Sequence, residues 1–128
     1  MPLEPVKHCR VRIIDLDGTV VKKKAPEDYF RTATWPLPGA IEQVNEWYDD
    51  GDYICFWTAR PKEYRENTLS VLDQLGFKYH ELICGKPYCK EIHIYDDNHM
   101  YFHKVTRDIG IGLPEDIKEL FPDGFTCF

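Results

Sequence analysis

Apolar residues along this chain gather in short runs divided by turn-forming residues, and the spacing inside the runs switches between a strand period and a helix period. Residues 10–16 form a β-branched apolar run closed by Asp17-Gly18, which predicts a buried strand ending in a turn. Residues 22–35 are basic and polar, with Pro26, Pro36 and Pro38 as breakers, and predict a loop. Pro38-Gly39 opens a helix in which Ile41, Val44, Trp47 and Tyr48 fall at helical spacing and Gly51 marks the stop. Residues 53–57 predict a second strand. Pro61 starts a second helix, with Tyr64, Leu69, Leu72 and Leu75 as its apolar positions and Gly76 as its end. Residues 80–83 and 91–95 predict a third and a fourth strand, 109–111 a short last strand, and 114–121 a closing helix.

Strands that alternate with helices at these lengths imply βαβ units and a mainly parallel sheet. In open parallel sheets ligands bind beyond the carboxyl ends of the strands. The diagnostic residues are therefore those that follow each apolar run. Asp15, Asp17 and Thr19 follow the first, Thr58 and Arg60 the second, Lys86 the third, and Asp96, Asp97 and Asn98 the fourth.

This set of side chains suits phosphoryl chemistry. Asp15 and Asp17 are two positions apart, so on an extended backbone both point the same way. Carboxylates that close repel each other and favour a hard cation such as Mg²⁺, which takes oxygen ligands. Asp96 and Asp97 would complete the shell from a neighbouring strand. Such an ion neutralises a phosphoryl group and orients it in line with a carboxylate nucleophile. Gly18 permits a turn that exposes backbone N–H groups, with Thr19 beside them, to phosphate oxygens. Thr58 offers a hydroxyl and Lys86 a charge to offset the equatorial oxygens of the transition state. Arg60 either binds substrate phosphate or caps the turn before Pro61. Asn98 stands in the loop after the paired acids, a position for substrate contact. Lys90 competes with Lys86, but the Gly-Lys-Pro context favours Lys86.

With these residues in place the chain resembles the haloacid dehalogenase superfamily over roughly residues 11–112. Asp15-Leu16-Asp17-Gly18-Thr19 is similar to its first motif, Thr58 in Trp57-Thr58-Ala59-Arg60 to the second, Lys86 in Gly85-Lys86-Pro87 to the third, and Asp96-Asp97 to a paired-acid form of the fourth. The resemblance implies a doubly wound α/β fold with a mainly parallel sheet and the first strand central. It implies that Asp15 forms an aspartyl phosphate, that Asp17 serves as general acid and then base, and that Thr58 and Lys86 hold phosphoryl oxygens. It also implies that Asp15, Asp17 (through its backbone carbonyl), Asp96 and Asp97 hold Mg²⁺. Which of Asp96 and Asp97 touches the metal stays open. Residues 20–37 and 59–85 leave no room for a cap domain, since folding below about 40 residues is rare without staples.

Composition narrows the class further. At 128 residues with 43% hydrophobic side chains, the chain has the size of one domain, residues 1–128, with a core of its own. Sixteen basic against 22 acidic residues give a net charge of −6, which disfavours nucleic acid and anionic membrane as partners. The family resemblance implies a small phosphorylated substrate, such as a sugar phosphate, as the partner. A macromolecular phosphatase and a non-catalytic phosphate-recognition module are the alternatives. The five cysteines form an odd, scattered set with no export signal, so reduced thiols in the cytoplasm are expected. Cys84, Cys89, His93, His99 and His103 suggest zinc, but Cys84 and Cys89 are separated by four residues rather than the tight pair a zinc finger uses. Finally, Tyr29, Phe30 and Trp35 make the loop after the first strand aromatic, which predicts a flap beside the site and a homo-oligomer.

Overall fold

The computed structural model describes residues 8–28, 34–98, 100–112 and 126–127. The first apolar run folds as β1, Val11–Ile14, and the first amphipathic stretch as α1, Ala40–Asp49. Then come β2, Tyr53–Trp57; a 3-10 turn, Lys62–Tyr64; α2, Arg65–Leu75; and β3, Glu81–Ile83. The three strands form a parallel sheet in the order β1-β2-β3, with Ile14 opposite Phe56 and Phe56 opposite Leu82. Farther along, β4, His103–Lys104, pairs antiparallel with β5, Thr126–Cys127. The fold is thus α/β, with helices alternating with parallel strands. Among the described residues, the connections from β1 to α1 and from β2 to β3 carry no folded unit beyond these helices and short 3-10 turns.

Pleating decides where the core lies. Ile14, Ile54, Phe56 and Leu82 share one face of the sheet and are between 0% and 7% exposed. They join Ala40 and Val44 of α1 and Leu72 of α2 in a single buried cluster. Both helices therefore cover the same face, as right-handed crossovers dictate when strands are added in one direction. Burying one such side chain is worth about 1.5–3 kcal/mol, so this face carries most of the stability. On the other face Val11, Ile13 and Ile83 are 65%, 52% and 42% exposed. The helix expected at 114–121, which a doubly wound fold would place on that side, lies outside the described residues.

Three expectations are corrected. Residues 91–95 are not a strand, and all of them are exposed. Glu91 and His93 satisfy each other locally at 2.8 Å, and the Glu-Ile-His-Ile-Tyr alternation lacks the continuous apolar run that a strand inside a parallel sheet needs. Without that fourth strand β1 sits at one edge of the described sheet and β2 is central. Residues 109–111 are not a strand either; the Ile109 and Gly110 N–H groups both donate to the Thr106 carbonyl, which makes a turn.

That turn is docked against the end of β1. The Asp108 N–H donates to the Gly18 carbonyl at 2.8 Å, the Ile111 N–H to that of Thr19 at 3.3 Å, and the Lys23 N–H to Asp108 Oδ1 at 2.7 Å. Asp108 has a φ of 61°, a left-handed conformation that Asp tolerates better than most residues. Beyond it, Gly112 lies flat against the start of α1. A Cβ added there would sit 2.2 Å from the carbonyl carbon of Gly39 and 2.4 Å from the Pro38 oxygen.

At the opposite end of the sheet, His80 fixes β2 against β3. Its N–H donates to the Ile54 carbonyl, and its Nδ1 accepts from the Ile54 N–H at 3.0 Å. The ring stacks on Tyr48 and Tyr53, with centroids 4.7 Å and 4.6 Å away. Desolvation, and then the neighbouring His8, draws His80 below the ordinary imidazole value of 6.5.

Two predictions follow from these contacts. Gly112→Ala forces backbone to move at three atoms, so it should cost about 1–3 kcal/mol, as overpacking does; an unchanged urea midpoint would show that the two glycines separate freely. The neutral His80 makes the sheet contact, so its contribution is complete above its unfolded value and disappears as pH falls toward the lower folded one. His80→Asn keeps an acceptor in place but cannot titrate. Its urea midpoint should fall less than that of the wild type between about pH 7 and pH 5, and parallel acid limbs would contradict the assignment.

Candidate active site

The loop after β1 winds around a single oxygen. The Leu16 carbonyl accepts from the N–H groups of Thr19, Val20 and Val21 at 3.1, 3.0 and 3.2 Å, and the Gly18 N–H donates to the Val21 carbonyl at 2.7 Å. Gly18 takes a φ of 88°, which turns the chain sharply after Asp17. Leu16, Val20 and Val21 are buried, so the loop is anchored from below. Asp15, Asp17 and Thr19 are left at the carboxyl end of β1.

Each acid then meets a cation from another strand end. Asp17 accepts two hydrogen bonds from Arg60, Oδ2 from Nε at 2.9 Å and Oδ1 from Nη2 at 2.8 Å, a bidentate pair. Both side chains are withdrawn from water, at 1% exposure for Arg60 and 8% for Asp17. The third guanidinium nitrogen lies 3.5 Å from the Thr68 hydroxyl on α2. Asp15 accepts from Lys86 Nζ at 3.0 Å through Oδ1, while Oδ2 stands 3.5 Å from the Thr19 hydroxyl. The Asp15 side chain keeps 40% of its exposure, which makes it the accessible acid of the pair. The Lys86 ammonium also lies 5.5 Å from the centre of the Trp57 ring.

Backbone bonds hold the second and third strand ends together beneath these pairs. The Thr58 N–H donates to the Ile83 carbonyl, the Lys86 N–H to that of Thr58, and the Gly85 N–H to that of Arg60. The Thr58 hydroxyl accepts from the Arg60 N–H at 3.1 Å and is 1% exposed. Nearby, Lys24 is drawn below the usual lysine range, first by desolvation and then by repulsion from Arg60, against the attraction of Asp17 and Asp28.

An open cleft of about 460 Å³ lies over the acids, lined by Asp15, Asp17, Gly18, Thr19 and Lys23, and by Lys104, Val105, Thr106 and Arg107 of the docked segment. Of the residues expected at the site, Asp15, Asp17, Gly18 and Thr19 line this cleft, and Lys86 reaches it through Asp15. Thr58 and Arg60 lie beneath it, and Arg60 holds Asp17 rather than facing a substrate phosphate. Asp96, Asp97 and Asn98 are exposed and outside the lining, with the Asn98 N–H folded onto Asp96 Oδ1 at 2.9 Å. Their separation follows from the missing fourth strand. Lys104, Thr106 and Arg107 went unnoticed in the sequence; the one signal there is two cations three positions apart, a common surface pattern.

Other expectations fare unevenly. Trp35 is 65% exposed, whereas Tyr29 and Phe30 lie outside the described residues. Cys9, Cys55, Cys84 and Cys89 are free thiols. No helix among the described residues is long and apolar enough to cross a membrane.

Comparison with known proteins places the chain at a distance from its relatives. No protein-family model matches it. A Bacillus cereus protein that carries a provisional nucleotidase name is 38% identical over 65 residues, 51% of this chain and 34% of that protein. The chain thus spans about a third of the length of this curated relative. The crystal structure of an MCSG target from Vibrio cholerae superposes with a TM-score of 0.51 at 26% identity, covering 89% of this chain and 98% of that one. The α/β architecture is shared across that length.

The Arg60–Asp17 pair makes the clearest mutational prediction. Removing one partner of a buried ion pair leaves the other charged and unpaired, at a cost of about 3–5 kcal/mol. Arg60→Ala should lose stability on that scale in urea denaturation, and Arg60→Lys should recover only part of it because a lysine cannot make the forked contact. A loss below about 1 kcal/mol, the size typical of exposed pairs, would mean that Asp17 reaches water or another donor.

Proposed function

We propose that this chain is a phosphomonoester hydrolase of the haloacid dehalogenase type, with Asp15 as its nucleophile. The observation that carries the reading is the Asp15–Lys86 contact at 3.0 Å, which sets an accessible carboxylate at the end of β1 against a cation from the end of β3, beside Asp17. The nucleotidase name of the Bacillus cereus relative supports hydrolysis of a phosphate ester. A small phosphorylated metabolite is the proposed substrate.

In the proposed reaction an Asp15 oxygen bonds to phosphorus as the bond from phosphorus to the ester oxygen breaks. The departing oxygen takes a proton from Asp17. Water that gives its proton back to Asp17 then attacks phosphorus, which releases phosphate and restores the Asp15 carboxylate. Lys86 offsets charge on the phosphoryl oxygens; the Gly18 and Thr19 N–H groups, expected to face phosphate, are instead used inside the turn, on the Val21 and Leu16 carbonyls. Both Asp17 oxygens accept from Arg60, so one of them has to leave the guanidinium before Asp17 can carry a proton. Arg60 is therefore a positioning residue in this scheme.

In this scheme Asp15 would hold Mg²⁺, although among the described residues no three His, Cys, Asp or Glu side chains are grouped as a metal site. That ion is usually bound by one or two carboxylates together with substrate phosphate and water, and Asp15 is the cleft acid that Arg60 leaves accessible. Bound there, Mg²⁺ would supply charge neutralisation for the phosphoryl group. Asp96 and Asp97 are kept as further proposed ligands on the motif resemblance alone.

With p-nitrophenyl phosphate and Mg²⁺ the wild type should release phosphate, and EDTA should stop it. Asp15→Asn should reduce turnover to background, and Asp17→Asn should lower it by ~10²–10⁴-fold, the usual worth of general acid–base help. Sustained turnover by Asp15→Asn, or by a metal-stripped sample, would require a different nucleophile or mechanism.

A further inference from the structure

The cleft is far more basic than the chain that builds it. Net charge over the sequence is −6. Yet beside Asp15 and Asp17 the lining brings Lys23 from one side and Lys104 and Arg107 from the other. Arg60 and Lys86 stand directly behind the two acids and engage them at 2.8 to 3.0 Å. Each of those two cations is matched by an acid, so Lys23, Lys104 and Arg107 make up the surplus positive charge of the cleft among the described residues.

The backbone that carries these cations is also held in place. The segment that carries Lys104 and Arg107 is bonded to Gly18 and Thr19 through the Asp108 and Ile111 N–H groups. The Arg107 stem packs on Gly18 so closely that a Cβ at that glycine would meet Arg107 Cγ at 3.0 Å. Asp108, the acid of this stretch, has Oδ1 engaged by the Lys23 N–H. The remaining lining offers one apolar side chain, Val105, and no aromatic ring among the described residues. A nucleobase is ordinarily held by stacking on aromatic side chains, so the lining suits an anionic group better than a base.

We propose that the cleft takes a substrate with two anionic groups, the reacting phosphate at Asp15 and a second phosphate or carboxylate bound by Lys104 and Arg107 with Lys23. This rests on the hydrolase reading of the same site. It names Lys104 and Arg107 as specificity-determining residues on a segment that lacks any catalytic motif.

The experiment uses the full chain with Mg²⁺ and two readouts, phosphate release and calorimetric affinity. The probes are fructose 6-phosphate and AMP, which carry one anionic group, against fructose 1,6-bisphosphate and 6-phosphogluconate, which carry two. The wild type should favour at least one of the doubly anionic probes by about tenfold or more, the scale of a charge-assisted hydrogen bond. Lys104→Gln/Arg107→Gln should collapse that ratio in kcat/KM and in affinity alike. Lys104→Gln alone should reduce it partway and serves if the double variant misfolds. Preference for the bisphosphate identifies a second phosphate, and preference for 6-phosphogluconate identifies a carboxylate. Equal handling of all four probes, preference for AMP, or a ratio that survives the double substitution would overturn the proposal. Absence of release from every probe, p-nitrophenyl phosphate included, would refute the hydrolase reading instead, and the affinity ratios would still decide between one anionic group and two.

Discussion

The buried pair between Arg60 and Asp17 is the constraint around which the strand ends are organised. It joins residues 43 positions apart and spans from the end of β1 to the end of β2, at a depth where water screens little. Arg60 also donates its backbone N–H to Thr58 and accepts at its carbonyl from Gly85, so the same residue ties in β3. Other ion pairs carry much less. Lys78–Asp49 and His93–Glu91 have both partners about half exposed or more, and pairs of that kind contribute about 0–1 kcal/mol. Arg12–Asp52 comes nearest in kind, with Asp52 buried and the Arg12 guanidinium 3.9 Å over the Trp47 ring, but it clamps the opposite end of the sheet.

With Asp17 immobilised, the geometry above it is determined by backbone bonds. The turn at Gly18 exposes carbonyls that the segment at 104–112 satisfies, and the Gly39–Gly112 approach fastens that segment to the start of α1. Two stretches remote in sequence thereby become the two walls of one cleft. The acids belong to one wall and most of the surplus positive charge to the other.

Much of this was legible in the sequence because it rests on local rules. Apolar runs of four to seven residues marked β1, β2 and β3, helical spacing marked α1 and α2, and Gly51 and Gly76 ended those helices as glycines do. The position of Asp15, Asp17 and Lys86 at strand ends followed from the parallel topology alone. The failures share one cause, dependence on partners that no local pattern encodes. Residues 91–95 have a strand's period, but a strand exists only where a neighbour accepts its hydrogen bonds, and Glu91 and His93 found each other instead. Arg60 read equally well as a phosphate ligand or a turn cap; its hold on Asp17 depends on side-chain reach across the sheet. The 104–112 segment docks mainly through main-chain groups, with the Asp108 carboxylate as the one side-chain acceptor among its described hydrogen bonds to the β1 loop, and such bonds leave little trace in residue type.

The position of β1 has a consequence for the chain in concentrated solution. Among the described residues it bonds to β2 on one side only, so its outer N–H and C=O groups form a template on which another polypeptide could add. Natural sheets guard such margins with charge, and here the exposed Arg10 stands next to the exposed Val11. Selection on this stretch therefore acts in two directions. Apolar side chains hold the strand that carries Asp15, while the charge of Arg10 limits its tendency to recruit a stranger, so a substitution that neutralises Arg10 would be felt in solubility before it was felt in folding.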